Sequence, residues 1–258
     1  MSIPKYLTQI VESKLGEIVT LKQRESELSL MQKISDTNRE FRSFSDVLRR
    51  PGLNLIAEVK KASPSKGIIR DDFDPVKIAT SFEKSGAAAL SILTDTPFFM
   101  GELPYLAQIR EAVHIPLLRK DFIMDPIQIL ESVLAGADAI LLIMAILTPD
   151  QAQSLHSFAR GLGLSVLVEV HTAEELTSAL TISDIELLGI NNRNLDTFEV
   201  DLETSFTLKS DNASNLVWVS ESGYDSLFQL QMAKENGFNA VLIGEGLARH
   251  PEIIDFFK

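Results

Sequence analysis

Eight short apolar runs, each followed by a helical segment, constrain this chain more than any other feature. They are Leu55–Val59, Ala88–Leu93, Ile115–Leu118, Ala139–Ile143, Ser165–Val168, Leu187–Ile190, Leu216–Val219 and Ala240–Ile243. Successive runs begin about 20–35 residues apart, the length of one βα unit. Apart from Glu58, Ser91 and Ser165 the runs are apolar without alternation, as expected of parallel strands covered by helices on both faces. Eight such units predict an α/β fold of the (β/α)8 TIM-barrel type. An open doubly wound sheet is the rival, but it usually carries a Gly-rich phosphate loop after its first strand. Here that strand leads into Lys60-Lys61-Ala62-Ser63-Pro64-Ser65-Lys66-Gly67 instead. Upstream, residues 4–48 are polar and helix-rich, with apolar stripes at Ile10, Leu15, Ile18, Val19 and Leu21 and at Phe41, Phe44, Val47 and Leu48. Pro51-Gly52 ends that region. So short a segment buries little surface alone. Residues 1–50 are therefore expected to be a helical extension packed on a barrel of residues 53–258, the whole chain forming one domain.

Composition narrows the function. The chain has no Cys, which removes disulfides, thiolate metal sites and Cys nucleophiles. With 24 Lys+Arg against 36 Asp+Glu its formal charge is −12. That balance argues against nucleic-acid binding, which needs clustered cations to neutralise phosphates. A small anionic ligand is still admissible, because it responds to the local field. No apolar run approaches the roughly 18 residues of a membrane span. Met1 to Lys14 lacks the layout of a signal peptide, so a cytoplasmic location, with no membrane partner, is the expectation. The four His residues (His114, His156, His171, His250) are scattered without metal-ligand spacing, and no metal is expected. His171 reads as a structural loop residue, and Trp218 and Met144 as strand residues of the core. Tyr6, Tyr105 and Tyr224 fall in no pattern.

The polar residues fall where the strands end. Glu58 and Lys60 terminate the first strand, Lys120 the third, Glu169 the fifth, Asn191 and Arg193 the sixth, Glu221 and Ser222 the seventh, and Gly244-Glu245 the eighth. In a barrel all C-terminal strand ends ring one mouth, where active sites sit. Side chains alternate faces with period 2. Ile56, Glu58 and Lys60 therefore share a face, as do Leu118 with Lys120, Leu167 with Glu169, Gly189 with Asn191, and Val219 with Glu221. Val166, Val168 and Val170 take the opposite, helix-facing side. One such charge could be a solvated cap, but a ring of them pointing into a barrel needs partners or a ligand. Lys60, Lys120 and Arg193 suit an anionic substrate, while Glu58, Glu169 and Glu221 supply proton-transfer groups whose pKa values shift one another. Ser222-Gly223 and Gly244-Glu245 place backbone N–H groups at the usual phosphate position of such barrels.

Several of these stretches resemble the indole-3-glycerol-phosphate synthase family of tryptophan biosynthesis. They are Ile56 to Gly67, Asp72-Phe73-Asp74-Pro75, Leu90 to Asp95, Leu118 to Ile123, Leu167 to His171, Gly189 to Leu195 and Ser220 to Gly223, in that order. The chain departs from the usual family pattern at Gly101-Glu102 and at Gly246, where Ser is common. The resemblance implies conversion of 1-(2-carboxyphenylamino)-1-deoxyribulose 5-phosphate into indole-3-glycerol phosphate with loss of CO2 and water, without metal or organic cofactor. It implies Lys120 as general acid for ring closure, Glu169 as acid–base partner, and Lys60, held by Glu58, at the substrate carboxylate and in dehydration. Asn191 and Glu221 would orient the substrate hydroxyls, and Phe99 and Phe122 would wall the anthranilate ring. Ser63, Arg193, Ser222, Gly223, Gly244 and Glu245 would complete the substrate and phosphate contacts. The expected partner is thus a small sugar-phosphate anion, and the protein is expected to act as a monomer.

Three alternatives stand beside this reading. A phosphoribosylanthranilate isomerase would use a Cys–Asp pair, and no Cys is present. A Schiff-base aldolase would use a strand-end Lys as nucleophile, which borohydride would trap. A non-catalytic phosphate-sensing barrel would tolerate loss of Glu58, Lys60, Lys120 or Glu169, yet the chain keeps all of them.

Overall fold

The computed structural model describes residues 5–64, 66–70, 72–195, 197–210 and 215–258. Ser65, in the first of the resemblance stretches, lies outside the described residues. Eight parallel strands close into a barrel: β1 (Asn54–Val59), β2 (Ala89–Leu93), β3 (Leu117–Lys120), β4 (Ala139–Ile143), β5 (Ser165–Val170), β6 (Leu187–Asn191), β7 (Val217–Glu221) and β8 (Ala240–Ile243). Sequential strands are neighbours, and β1 closes the ring by pairing with both β2 and β8. All eight apolar runs are strands, Ala139–Ile143 and Ala240–Ile243 with the bounds expected and the other six with shifted ends. β3 starts at Leu117 and not at Ile115, since Pro116 has no N–H for the ladder and contributes only its carbonyl, which accepts from Leu90. β3, β6 and β7 run on through Lys120, Asn191 and Glu221, so these polar residues are the last rungs of the ladder. Met144 is core, but it opens a short 3-10 turn after β4 and is not part of the strand.

Helix starts follow local chemistry. Asp74-Pro75, Asp125-Pro126 and Thr148-Pro149 each place a side-chain acceptor at the N-cap and Pro in the first turn. That Pro lacks a donor the helix end could not have satisfied anyway.

The strands bury two faces. Leu55, Ala57 and Val59, and likewise Val166, Val168 and Val170, pack outward against the helices. The inward cluster takes Ile56, Leu118, Leu167 and Val219 from the odd strands, each of which contributes roughly 1.5–3 kcal/mol by full burial. The even strands fill the gaps with Ala89, Ala139, Leu141, Leu187, Ala240 and Leu242. One pleat above that apolar plug, the odd strands present Glu58, Lys120, Glu169 and Glu221. The layer that these strands lay over the barrel core is ionisable.

The N-terminal extension runs from one mouth to the other. It comprises α1 (Lys5–Arg24), α2 (Glu27–Ser35) and α3 (Phe44–Leu48). α1 crosses the C-terminal mouth, α2 packs on the Pro126–Ala135 helix, and α3 plugs the opposite end with Phe44 and Leu48 against Ala89, Ala139 and Leu187. The linker before α3 is fixed by buried Asp138, which accepts from Arg110 Nη1 at 2.8 Å, the Arg42 N–H at 3.0 Å and Arg39 Nη2 at 3.3 Å. The face of α1 differs from the apolar stripe expected. Leu15 and Val19 are exposed, and the buried side is Leu7, Ile10, Lys14, Ile18 and Leu21. A lysine occupies the middle of the docking face. Among the described residues, no helix is long and apolar enough to cross a membrane.

Candidate active site

A cavity of about 730 Å3 opens at the C-terminal mouth, and every site residue expected from the sequence lines it. At its floor Lys120 Nζ donates to Glu169 Oε2 at 2.6 Å and to Glu221 Oε2 at 2.7 Å, while Lys60 Nζ donates to Glu58 Oε1. Two glycines make room for this layer. A Cβ on Gly189 would collide with Glu221 Oε1, and one on Gly244 would collide with Glu58 Oε1 and lie 3.0 Å from Lys60 Nζ.

Burial and pairing oppose one another here. Burial alone would lower the Lys120 pKa, but Glu169, Glu221 and Glu58 outweigh it and hold the ammonium firmly charged. Burial raises the carboxyl pKa of Glu169, yet Lys120 and His171 overcome it, so Glu169 stays ionised well below the usual carboxylate range. Glu221 goes the other way. Burial, reinforced by the neighbouring Glu169 charge, raises it despite Lys120, and its Oε1 is buried without a hydrogen-bond partner among the described residues. One lysine thus serves two carboxylates of unequal proton affinity, the arrangement that separates acid and base roles.

His171 is more than a loop residue. It shares the strand parity of Glu169, and its Nε2 lies 3.3 Å from Glu169 Oε1, with Nδ1 3.2 Å from Glu175 Oε2. Burial would neutralise the imidazole, but those two carboxylates raise its pKa to about 9.

The two ends of the cavity differ in character. On one side the Phe99 and Phe122 rings face each other with centroids 6.2 Å apart, joined by Tyr6, Leu7 and Ile10 from α1. Ser63, on a short hairpin after β1, also faces the cavity, and its Oγ is buried without a partner among the described residues. On the other side Ser222 and Gly223 both take left-handed backbone, φ 70° and 95°. Ser222 Oγ donates to Asn191 Oδ1 at 2.9 Å, and the same oxygen accepts from the Arg193 N–H at 3.0 Å. Arg193 Nη1 donates to the Phe198 carbonyl at 3.0 Å, and its Nη2 lies 3.6 Å from Glu245. Arg249 pairs with the other Glu245 oxygen at 2.7 Å. Glu245 opens the helix Glu245–Arg249, so with its carboxylate engaged, any role in holding an anion falls to its backbone N–H. Behind this end, Tyr224 OH, Ser205 and Asn192 all converge on Ser220 Oγ, fixing the strand ends that carry Asn191 and Glu221.

Four residues at or beside the site, Lys14, Tyr6, His171 and Arg249, have no place in the sequence-based set. His171 is within reach of the parity argument, being two residues beyond Glu169. The other three depend on where α1 and the last helix dock. Among the described residues, no group of three or more His, Asp or Glu side chains is placed to hold a metal ion.

Known proteins align with this architecture. A solved structure of N-acetylmannosamine-6-phosphate 2-epimerase from Clostridium perfringens superposes with a TM-score of 0.61 at 15% identity, covering 86% of this chain and 98% of that one. A second, described as "Native KDPGal structure", gives 0.54 at 19% identity over 80% and 92%. Such similarity shows a shared fold only. Sequence relatives are far nearer. Indole-3-glycerol phosphate synthase from Chlorobium phaeovibrioides (strain DSM 265 / 1930) is 47% identical over 251 residues, 96% of each chain. The protein of that name from Geobacillus thermodenitrificans (strain NG80-2) is 47% identical over 249 residues, covering 96% of this chain and 93% of its own. The family model described as indole-3-glycerol phosphate synthase matches residues 7–258. This chain belongs to the indole-3-glycerol phosphate synthase family.

Proposed function

We propose that this chain closes the indole ring of 1-(2-carboxyphenylamino)-1-deoxyribulose 5-phosphate, releasing CO2 and water to give indole-3-glycerol phosphate. The observation that carries this reading is Lys120 clamped by Glu169 and Glu221 between an aromatic wall and a cationic, glycine-rich end. That layout matches a substrate with an aryl carboxylate at one end and a phosphate at the other.

The chemistry follows from the layer. The ring carbon bearing the carboxylate attacks the ketone carbon, forming the C–C bond as negative charge develops on the ketone oxygen. Lys120 gives that oxygen a proton. A lysine held this firmly in its charged form yields its proton only to a much stronger base than a carboxylate, and a developing alkoxide is one. CO2 then leaves and restores the aromatic ring. Water departs last: Glu169 removes the proton from the new five-membered ring while the hydroxyl leaves with a proton from Lys60. Glu58 orients Lys60 beside the substrate carboxylate, and Asn191 and Glu221 hold the hydroxyls. Phosphate is placed against Ser222-Gly223 and Gly244-Glu245, with Arg193 and Arg249 supplying charge.

Incubation of the purified protein with the carboxyphenylamino-deoxyribulose phosphate should generate indole fluorescence together with equimolar CO2. Absence of both would reject the activity. A borohydride-trapped covalent adduct would favour the aldolase reading instead. On the same reading the protein works in the cytoplasm as a monomer of one domain, with size-exclusion chromatography as the check on its oligomeric state.

A further inference from the structure

Lys14 is the least solvent-exposed lysine of the described chain, and the chemistry above does not use it. Its side chain is 2% exposed, and its Nζ lies 2.9 Å from Asp121 Oδ1, 3.0 Å from Asp95 Oδ2 and 2.8 Å from Glu17 at the surface. Each buried carboxylate in turn fixes a backbone turn. Asp95 Oδ1 accepts from the Phe98 N–H at 2.8 Å and caps the short helix Thr96–Phe99. Asp121 Oδ1 accepts from the Phe122 N–H at 2.8 Å, and its Oδ2 takes Thr94 Oγ1 at 2.6 Å and Arg119 Nη2 at 3.0 Å. The turns so fixed carry Phe99 and Phe122. Lys14 itself rides on α1, whose Tyr6, Leu7 and Ile10 face the same end of the cavity. The Tyr6 ring also meets Phe98 edge-on, centroids 5.8 Å apart.

Charge arithmetic shows why the ammonium is needed. Among the fully buried groups Lys14 and Arg119 balance Asp95 and Asp121, while Arg119 also pairs with the less buried Glu131 at 3.1 Å. Without Lys14 one buried carboxylate loses its cation, and α1 loses its buried ion pairs to the β2 and β3 loops, keeping there the more exposed Lys22–Asp125 pair at 2.6 Å.

We propose that Lys14 is a positioning residue for the aromatic end of the substrate, tying α1 to the loops after β2 and β3 so that the helix, Phe99 and Phe122 form one wall. The proposal rests on the ring-closure reading of the cavity. Lys14 touches neither Lys120 nor Glu169, so its loss should act on binding of the ring more than on proton transfer.

Three variants test it: Lys14→Met, Lys14→Arg, and Lys14→Met combined with Asp95→Asn. The double variant removes the unpaired buried charge, while the amide oxygen it introduces can still cap the Phe98 N–H. Its melting temperature should therefore return toward wild type. If Lys14 positions the wall, KM in both Met variants rises about tenfold or more while kcat falls by less than about threefold. Lys14→Arg, which keeps the cation, should recover part of the loss. A purely structural role predicts a different outcome: KM within about twofold of wild type in the refolded double variant, which would overturn the proposal. The double variant also serves if Lys14→Met alone does not fold. Hydrogen exchange separates this idea from the activity assignment. If wild type turns over no substrate, the function fails, but faster exchange of the α1, Phe98 and Phe122 amides in the double variant still supports the tie. Unchanged protection there refutes it.

Discussion

Lys120→Met tests the centre of the mechanism, because it keeps side-chain volume and removes one proton and one charge. Lys120 is the sole cation within hydrogen-bond distance of both Glu169 and Glu221 among the described residues. Loss of a positioned general acid lowers kcat by about 10²–10⁴, equivalent to about 2.7–5.4 kcal/mol of barrier. Binding should weaken less, since the donated proton matters most in the transition state. Stability gives a second, independent readout. Breaking a buried ion pair from one side costs about 3–5 kcal/mol when the remaining charge has no partner. Protonation can relieve that cost here, so the loss depends on pH. In wild type the folded pKa of Glu169 lies below its ordinary value of 4.5. Its pairing therefore stabilises the fold above that value, and the benefit fades as pH falls through the depressed folded pKa. The variant loses the Lys120 share of that benefit and keeps the share from His171, 3.3 Å from Glu169. The gap in unfolding free energy between wild type and Lys120→Met should thus be widest near neutrality and narrow in acid. Indole fluorescence measures kcat, and urea titrations at neutral and acidic pH measure the gap. A kcat within about threefold of wild type would sink the acid role. A gap that widened in acid would refute the ion-pair argument.

Glu169→Gln should lower kcat by a similar factor of about 10²–10⁴ with the fold intact, since an amide still accepts a hydrogen bond but moves no proton. The bell-shaped pH–rate profile of wild type should lose a limb, and an unchanged profile would leave Glu169 only structural. His171, raised from 6.5 to about 9 by Glu169 and Glu175, contributes stability that is complete below pH 6.5 and is lost as pH climbs through 9. Between pH 6 and 10, wild type should accordingly lose about 3 kcal/mol more unfolding free energy than His171→Gln, and equal losses would mean the imidazole is neutral when folded. Arg193→Ala should raise KM by about 10- to 150-fold with a smaller effect on kcat, as loss of a charge-assisted contact worth about 1.5–3 kcal/mol demands. Inorganic phosphate should compete with substrate in wild type and much less in that variant; equal competition would move the phosphate elsewhere. Gly189→Ala should reduce turnover by displacing Glu221, and a variant with wild-type kcat would show that the Glu221 position is dispensable.

The eight strands, their parity and the mouth they share were legible in the chain because each is a local property. Continuous apolar runs mark strands buried on both faces, and period-2 alternation follows from backbone geometry alone, so Glu58, Lys120, Glu169 and Glu221 could be assigned to one face before any coordinates. The helix starts at Asp74-Pro75, Asp125-Pro126 and Thr148-Pro149 are local in the same sense, each capped by its own N-terminal side chain. What the tertiary structure alone decided is which of these groups meet. Lys120 is paired across 49 and 101 residues with Glu169 and Glu221, whereas Lys60 turns back to Glu58, two residues away along the chain. Those choices depend on the stagger of neighbouring strands, which is set by closing the whole barrel and not by any one strand. The path of α1 is the clearest case. Its helical stripe was visible, but Leu15 and Val19 face outward while Lys14 is buried among Leu7, Ile10 and Ile18. A buried lysine is unfavourable until carboxylates are brought to it. Asp95 and Asp121 reach it from two different strand ends, a meeting that a one-dimensional pattern cannot encode and only the folded barrel provides.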